Sequence, residues 1–493
     1  MIADPSTPFR PSLKPYPRMK GSGVPWLGQV PEDWEVRKLK HAVTFSGGGT
    51  PSKANATFWS GSIPWVSPKD MQRAWITDTT DHITPEAVQA SATSIVPPGA
   101  LLVVVRSGIL RRAIPVAINA VDVALNQDMK ALRPRRGLMA QYLLTLVQGN
   151  EAALIAEWTK QGATVESIEH ELLANAQVPL PPLPEQSAIV RFLDHVDRRI
   201  RRYIRAKQKL VKLLEEEKQA VIHRAVTRGL DPDVRLKPSG VEWLGQVPLH
   251  WCVASLRFRY EQCLGKMVDA KKASGRYPIP YLRNVDVRWD EINTRDLPVI
   301  DVPLHERDRY CVRVGDLLVC EGRHLGRSAF WNGQIDVCGF QKALHRLRPL
   351  DPERDIPRYL FYCMRLAYIR DAFGRNKIDN TIPHLTGEML RAHRFAFPPV
   401  DEQRAIAAYL DSELARIQSG AGCARSEISL LREYRTRLIA DVVTGKLDVR
   451  EAAARLPDEA EEPEPLEEED GLGDGHEDTE EAGADSLEDE AEA

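Results

Sequence analysis

The sequence predicts an α+β protein built as two tandem copies. Each copy is a mixed domain followed by a long helix, and the two helices are expected to pair with each other. Three observations predict this. The first is an internal repeat with a constant offset of 217. GVPWLGQVPEDW at Gly23–Trp34 returns as GVEWLGQVPLHW at Gly240–Trp251, with nine of twelve residues matched. PPLPEQSAIVRFLD, beginning at Pro181, returns as PPVDEQRAIAAYLD, beginning at Pro398. IHRAVTRGLD at Ile222–Asp231 returns as IADVVTGKLD at Ile439–Asp448. The second is a helical stretch without proline or glycine from Glu185 to Arg228. Its apolar residues Ile189, Leu193, Val196, Ile200, Tyr203/Ile204, Leu210, Leu214, Val221 and Ala225 follow the four–three spacing of a coiled-coil seam, with polar gaps at Lys207 and Glu217. At the usual rise this makes a rod of about 66 Å. Such a rod needs a partner, and the repeat supplies the stretch Asp401–Gly445. The third is a set of short apolar runs in each copy, bounded by Gly and Pro, that read as strands.

Taken in order, residues 1–22 are proline-rich without the apolar core of a secretory signal, and are expected to form a disordered arm. Residues 23–181 form the first domain, with strands at IPWVS (Ile63), ALLVVVRSG (Ala100) and AIPVAINAVDVAL (Ala113) and helices near Met139–Glu157 and Ser167–Ala174. The first long helix falls within 182–232. Its double proline suits a helix entrance, and Gly229 with Asp231-Pro232 ends it. Residues 233–398 repeat the domain, with IPYLR (Ile279), VGDLLVCEG (Val314) and a helix near Pro357–Phe373. The second long helix occupies 399–447. Gly420 and Gly422 inside it cost about 1 kcal/mol each relative to alanine, and serve either close helix approach or a bend. Residues 448–493 are acidic and poor in aromatics, and are expected to be a disordered tail.

Charge separates the chain into two parts. The net charge of −4 includes 19 Asp and Glu between Asp458 and Ala493, where there is no Lys or Arg. The remaining 457 residues carry about +15. A basic body of this kind points to a polyanion, most simply nucleic acid, against the plainer reading of a solvated basic surface. Within it Arg198–Lys212 holds eight basic residues in fifteen, a face for phosphates or an acidic partner, or merely solvated helix. No apolar run spans a membrane. Seven cysteines without regular spacing indicate reduced thiols in the cytoplasm.

Catalytic motifs are missing. Ser46–Lys53 is rich in glycine but lacks the order of a phosphate-binding loop, so it reads as a tight loop. Neither double proline belongs to an adenine-methyltransferase motif, and no Gly-x-Gly-x-x-Gly run is present. Asp316 and Glu321 precede Arg323 rather than a nuclease lysine. Cys311, Cys320, His324 and Cys338 do not have the spacing of a zinc site. No catalytic or metal-binding residue is therefore assigned.

The residues suited to recognition lie on loops. Arg106, Ser107, Arg111 and Arg112 sit between two apolar strands of the first copy, and Glu321, Arg323, His324 and Arg327 sit at the equivalent point of the second. Gln127 and Asp128 correspond to Gln341 and Lys342, and Lys69 and Asp70 to Val285 and Asp286. Lys53, Arg283 and Asn284 complete a candidate set of donors for phosphates and base edges. The plain alternative is that some are hairpin surface charges.

This combination resembles the DNA-specificity subunits of type I restriction–modification systems. The resemblance runs from Gly23 to Asp448 and rests on the Trp-x-Gly-x-x-Pro-x-x-Trp pieces, the PPLPEQ and PPVDEQ helix starts, the approaches Thr164–Pro179 and Thr381–Pro398, and the GDLLV-type strand. The resemblance implies two target recognition domains, each reading half of a split asymmetric site on double-stranded DNA, separated by two long helices that pack as an antiparallel coiled coil and serve as spacer. It further implies a chain without catalysis or bound cofactor. Two modification subunits carrying S-adenosylmethionine for adenine N6 methylation, and two restriction subunits using ATP and Mg2+, are the implied partners. Glu185, Gln186, Ile189, Leu193, Ile200, Leu214, Glu402, Gln403, Ile406 and Leu410 are the expected spacer and partner-docking residues. The acidic tail departs from the family pattern. The competing readings are a stand-alone bipartite DNA-binding regulator and a coiled-coil scaffold with two interaction modules.

Overall fold

The computed structural model describes residues 13–159, 166–267, 275–322, 324–374 and 384–457. These fall into two units. The described residues of the first lie in Met1–Lys207 and Ser426–Leu466, and those of the second in Gln208–Arg425.

In the first unit a five-stranded sheet runs in the order Val43–Gly47, Met129–Pro134, Leu101–Val104, Val116–Asn119, Trp75–Ile76. Its pairs are antiparallel except the last. A smaller sheet places Ile63–Val66 between Ala124–Leu125, which is parallel to it, and His82–Ile83, which is antiparallel. Glu35–Lys38 pairs with Gln177–Leu180 at the foot of the domain. The run LLVV reads as a continuous apolar strand because both faces are covered. Leu101 and Val103 pack towards the helix Ala140–Gly149, and Leu102 and Val104 pack with Ala117 and Ala131.

The second unit repeats this plan. Its larger sheet is ordered Tyr260–Leu264, Leu344–Pro349, Leu317–Cys320, Ser328–Phe330. Its smaller one places Pro278–Leu282 between Val299–Asp301 and Gly339–Phe340. The central strand alternates in the same way, with Leu317 and Val319 on one core and Leu318 and Cys320 on the other.

The first long helix is Leu183–Arg228 and the second Val400–Val443. Each unit contains half of each. In the first unit Ile189, Leu193, Val196 and Ile200 share a core with Leu438, Ile439 and Val442. Asp197 pairs with Arg435, and Lys207 with Glu427 at 2.6 Å. In the second unit Ile222, Ala225 and Val226 share a core with Ile406, Leu410 and Leu414. There Glu215 pairs with Arg425 at 3.2 Å. Rising numbers on one helix meet falling numbers on the other, so the pairing is antiparallel. The seam differs from the predicted one midway. Tyr203 and Leu210 are exposed, and Ile204, Lys207, Val211 and Leu214 are the half-buried positions. The polar gap at Lys207 is a seam position filled by an ion pair. Gly420 is not needed for close approach, since an added Cβ would meet Leu214 at an ordinary 3.7 Å, and at Gly422 it would meet nothing. The second helix continues through both.

Two buried tyrosines at the repeat offset tie each domain to the helices. The Tyr142 hydroxyl lies 3.2 Å from the Pro179 carbonyl and 3.0 Å from that of Val443. The Tyr359 hydroxyl lies 2.8 Å from Ala396 O and 3.5 Å from Val226 O. Each domain therefore grips the end of the long helix that belongs to the other copy.

The expected disordered segments need correction where they are described. Met19–Gly21 pairs with Gln29–Pro31, and Tyr16 is buried with its hydroxyl donated to the Glu185 carboxylate. Past residue 448, Val449 is buried and Arg450–Ala454 forms a helix whose Ala453 is also buried. Proline content misled at one end and charge at the other, because specific burial of Tyr16, Val449 and Ala453 outweighs local composition. Residues 1–12 and 458–493 lie outside the described residues. No helix is long and apolar enough to cross a membrane among those described.

Candidate nucleic-acid interface

Backbone hydrogen bonds bring four loops of the first unit together at one end of its sheets. Gly49 N donates to Leu125 O at 2.9 Å, Asn126 N to Val66 O at 3.0 Å, and Val105 N to Asp128 O at 2.8 Å. These bonds join the loops Gly47–Lys53, Ser67–Asp70, Arg106–Arg112 and Asn126–Asp128. Gly48 permits the first junction, since a Cβ there would fall 2.0 Å from Asn126 O. A short turn at Pro68–Asp70 is fixed by a capping box, with Ser67 N and Oγ donating to the Asp70 carboxylate at 2.9 and 2.7 Å.

The loops enclose an open recess of about 460 Å³ that includes Lys53, Trp65, Lys69, Asp81, Gln127 and Asp128 in its lining. Lys69 is ion-paired with Asp81 at 2.8 Å, and that hydrogen bond raises its pKa above the ordinary value. The Thr50 hydroxyl donates to the Gln127 side-chain oxygen. Lys53, Arg106, Arg111, Arg112 and Gln127 are exposed. Arg111 lies 3.7 Å from Glu166. Ser107 is used locally, accepting from Ile109 N at the start of a short 3-10 helix.

The second unit builds the same arc. Lys266 N donates to Phe340 O at 2.9 Å, Gln341 N to Leu282 O at 3.0 Å, and Glu321 N to Ala343 O at 2.9 Å. Gly265, at the repeat offset from Gly48, would place a Cβ 2.0 Å from Gln341 O. These bonds correct the predicted register. Asn126 corresponds to Gln341 and Gln127 to Lys342, one residue from the sequence-based pairing. The correspondence of Asp70 with Asp286 holds, since Asp286 closes the matching box.

The side chains differ on this shared frame. Where the first unit has Ser67, the second has Arg283, whose guanidinium makes two 2.9 Å bonds to the buried Asp286. Asn284 Nδ2 donates to Gly322 O at 3.3 Å, and Arg327 donates to Asn284 O at 3.1 Å. Arg283, Asn284 and Arg327 thus stitch loops together rather than standing free. Lys342 is exposed, and Gln341, Glu321 and His324 are half-buried. Arg323 lies outside the described residues, as do Thr164 and Thr381. Sequence reasoning missed Trp65, Asp81 and Asn126, which carry no repeat signal. It also missed Gly48 and Gly265, which do.

The expected docking residues need a second correction. Ile189, Leu193, Ile200, Ile406 and Leu410 are buried in the seam, and Leu214 packs against it. Gln186 and Gln403 are fully buried, and Glu185 is nearly so. Their polar groups are spent inside the fold, which removes them as contacts for another subunit. Of the basic stretch, Arg198, Arg201 and Lys207 are held in ion pairs with Asp194, Asp197 and Glu427. Among the described residues no cluster of His, Cys, Asp and Glu has the geometry of a metal site. Burial pushes the Cys320 and Cys338 thiols up to about 11 and 12.

An arc of exposed Lys, Arg and Gln on loops held by a rigid sheet suits contacts to phosphates and base edges. Residues 31–212 match the family model for the type I restriction modification DNA specificity domain. That match covers a little over a third of the chain. Among its relatives, the EcoR124I/EcoR124II specificity subunit of Escherichia coli is 41% identical over 164 residues, 33% of this chain and 41% of that one. The MjaIX specificity subunit of Methanocaldococcus jannaschii is 29% identical over 174 residues, 35% of this chain and 39% of that one. The match therefore spans about two fifths of the length of these two relatives. The EcoKI specificity subunit of Escherichia coli K12 is 21% identical over 85% of this chain and 90% of its own. A solved structure described as a type I R-M system assembly has a TM-score of 0.66 at 17% identity, covering 85% of this chain and 99% of that one. The HsdS subunit of Thermoanaerobacter tengcongensis gives 0.52 at 17% identity, covering 84% and 96%. These two likenesses bear on the fold.

Proposed function

We propose that the chain is the DNA-reading subunit of a type I restriction–modification complex, with each unit recognising one half of a bipartite asymmetric site. The observation that carries this is the duplicated arc of four loops, identical in its backbone bonds and different in its exposed side chains. One frame with two side-chain sets is what reading two different half-sites requires. The paired helices act as the spacer, so that their length and phase belong to the specificity. The chain supplies recognition and no catalysis. Two modification subunits with S-adenosylmethionine methylate adenine N6, and two restriction subunits use ATP and Mg2+, all in the cytoplasm.

The test is an exchange of residues 35–180 for those of another specificity subunit, with the partner methyltransferase supplied. Mapping methylated adenines should then show one half of the motif replaced and the other kept. Replacement of both halves, or methylation without a bipartite motif, would overturn the reading.

A further inference from the structure

The first unit carries a basic surface at the pole opposite its four loops. The strand Met129–Pro134 runs from the loop end to the far end, where Arg133 sits opposite Thr44 and Pro134 opposite Val43. Arg135 N donates to Ala42 O at 2.8 Å. This sets Arg133, Arg135 and Arg136 beside the segment Lys38–Ala42, which adds Lys38 and Lys40. All five cations are exposed. None of the five is ion-paired among the described residues, and Lys40 reaches only the neutral Asn175 at 2.8 Å.

The second unit lacks this surface. Leu350 N donates to Arg259 O as Arg135 N does to Ala42 O, which fixes the correspondence. The equivalents of Lys38, Lys40, Arg133, Arg135 and Arg136 are Ser255, Arg257, Arg348, Leu350 and Asp351. Arg348 is neutralised by two bonds to Asp316, at 2.5 and 2.8 Å. The charge is therefore no requirement of the shared fold.

The chain provides a complementary polyanion close by. The turn Gly137–Met139, next to Arg136, is bonded to Gln186 at the start of the first long helix. Five residues along, or about 7.5 Å of helix axis, the Arg191 guanidinium donates to the carbonyls of Leu456 and Pro457 at 2.9 and 3.0 Å. The 36 residues that follow Pro457 hold 19 carboxylates and no Lys or Arg. Fully extended they would reach about 120 Å, so the basic pole lies well within range of their fixed starting point.

We propose that the acidic segment 458–493 docks intramolecularly on the basic pole formed by Lys38, Lys40, Arg133, Arg135 and Arg136. Exposed pairs of this kind contribute little singly and are screened by salt. The surface is thus a reversible, ionic-strength-dependent contact that keeps a strongly basic pole from other polyanions.

Loss of the tail raises the net charge wherever it sits, so nonspecific DNA affinity of a truncated chain does not discriminate. The informative experiment is zero-length carbodiimide crosslinking of the full chain at low salt, mapped by mass spectrometry. Crosslinks from tail carboxylates should concentrate on Lys38 and Lys40. They should be lost in a chain carrying Arg133→Glu, Arg135→Glu and Arg136→Glu, exposed changes that leave the core intact, which thermal melting verifies. Crosslinks centred on Lys53, Lys69 or Lys342 would place the tail on the reading loops and overturn the proposal. So would crosslinks joining isotopically labelled to unlabelled chains, or a pattern unchanged by the triple variant.

Discussion

The entrances to the two long helices carry the same Glu-Gln pair and use it differently. Gln186 accepts from Met139 N at 2.8 Å and donates to Gly137 O and Pro181 O at 2.7 and 2.8 Å. Gln403 accepts from Ile356 N at 2.9 Å and donates to Arg354 O and Pro398 O at 3.1 and 2.9 Å. The glutamine satisfies three backbone groups, one of them fully buried and two partly, where a domain turns into a helix. The glutamate has no such fixed duty. Glu402 accepts from Trp251 Nε1 at 3.0 Å and meets His250 at 2.8 Å. Glu185 instead takes the Tyr16 hydroxyl, with Arg450 stacked over the Tyr16 ring at 5.0 Å, while Trp34 Nε1 has no partner among the described residues. The carboxylate was thus redirected to hold segments from both ends of the chain, at the cost of one indole hydrogen bond.

The equivalence of the glutamines is broken most directly by removing them. Gln186→Leu and Gln403→Leu should each destabilise the host unit by about 3 kcal/mol, the low end of the loss expected for three groups, because two of the three are only partly buried. Calorimetry on both variants checks this, and a Gln186→Leu chain as stable as the parent would end the parallel.

A second test separates the units by pH. His393 packs among Trp243, Phe373 and Phe395, and burial lowers its pKa from 6.5 to about 4. Its counterpart by backbone bonding is Ala176, since Leu256 N donates to His393 O as Leu39 N does to Ala176 O. The neutral ring favours the folded state fully above pH 6.5. That contribution is lost as pH falls towards 4, a change of about 3 kcal/mol confined to the second unit. Hydrogen exchange from pH 7 to 4 should show the second unit losing protection first, and His393→Phe should reduce the difference, leaving the part due to His345 and His223, whose pKa values burial also lowers.

The smallest effect is expected at the tryptophans. Trp251→Phe gives up a bond to a carboxylate and Trp34→Phe gives up none, so the first should cost about 1–2 kcal/mol more. Equal melting shifts would contradict the assignment of Glu402 to Trp251.

The repeat made the fold readable because it pinned the elements that both copies share. IPWV, LLVV and LLVC are strands, and the EQ starts are helix entrances, because both copies bury the same positions. Legibility failed where the copies differ in loop length. The offset is 217 at Gly48, 216 at Asp70 and 215 at Asn126, so Asn126 rather than Gln127 matches Gln341. It also failed where an ionic group is consumed internally. Arg283 reads as a free donor until Asp286 is seen beneath it, and Lys207 reads as a seam defect until Glu427 is seen opposite. At Leu210 and Val211 two adjacent apolar residues left the phase of the seam ambiguous, and packing chose the second.

The clasp of Tyr16, Glu185 and Arg450 has a bearing on synthesis. The described residues of the second unit all lie within Gln208–Arg425, whereas those of the first come from both flanks of that stretch. A ribosome that has released Arg425 has delivered all described residues of the second unit, while the first still lacks Leu438, Ile439, Val442 and Val449 from its core. The unit begun earliest is the one completed last, and a nonsense mutation late in the coding region strikes the domain encoded at its start.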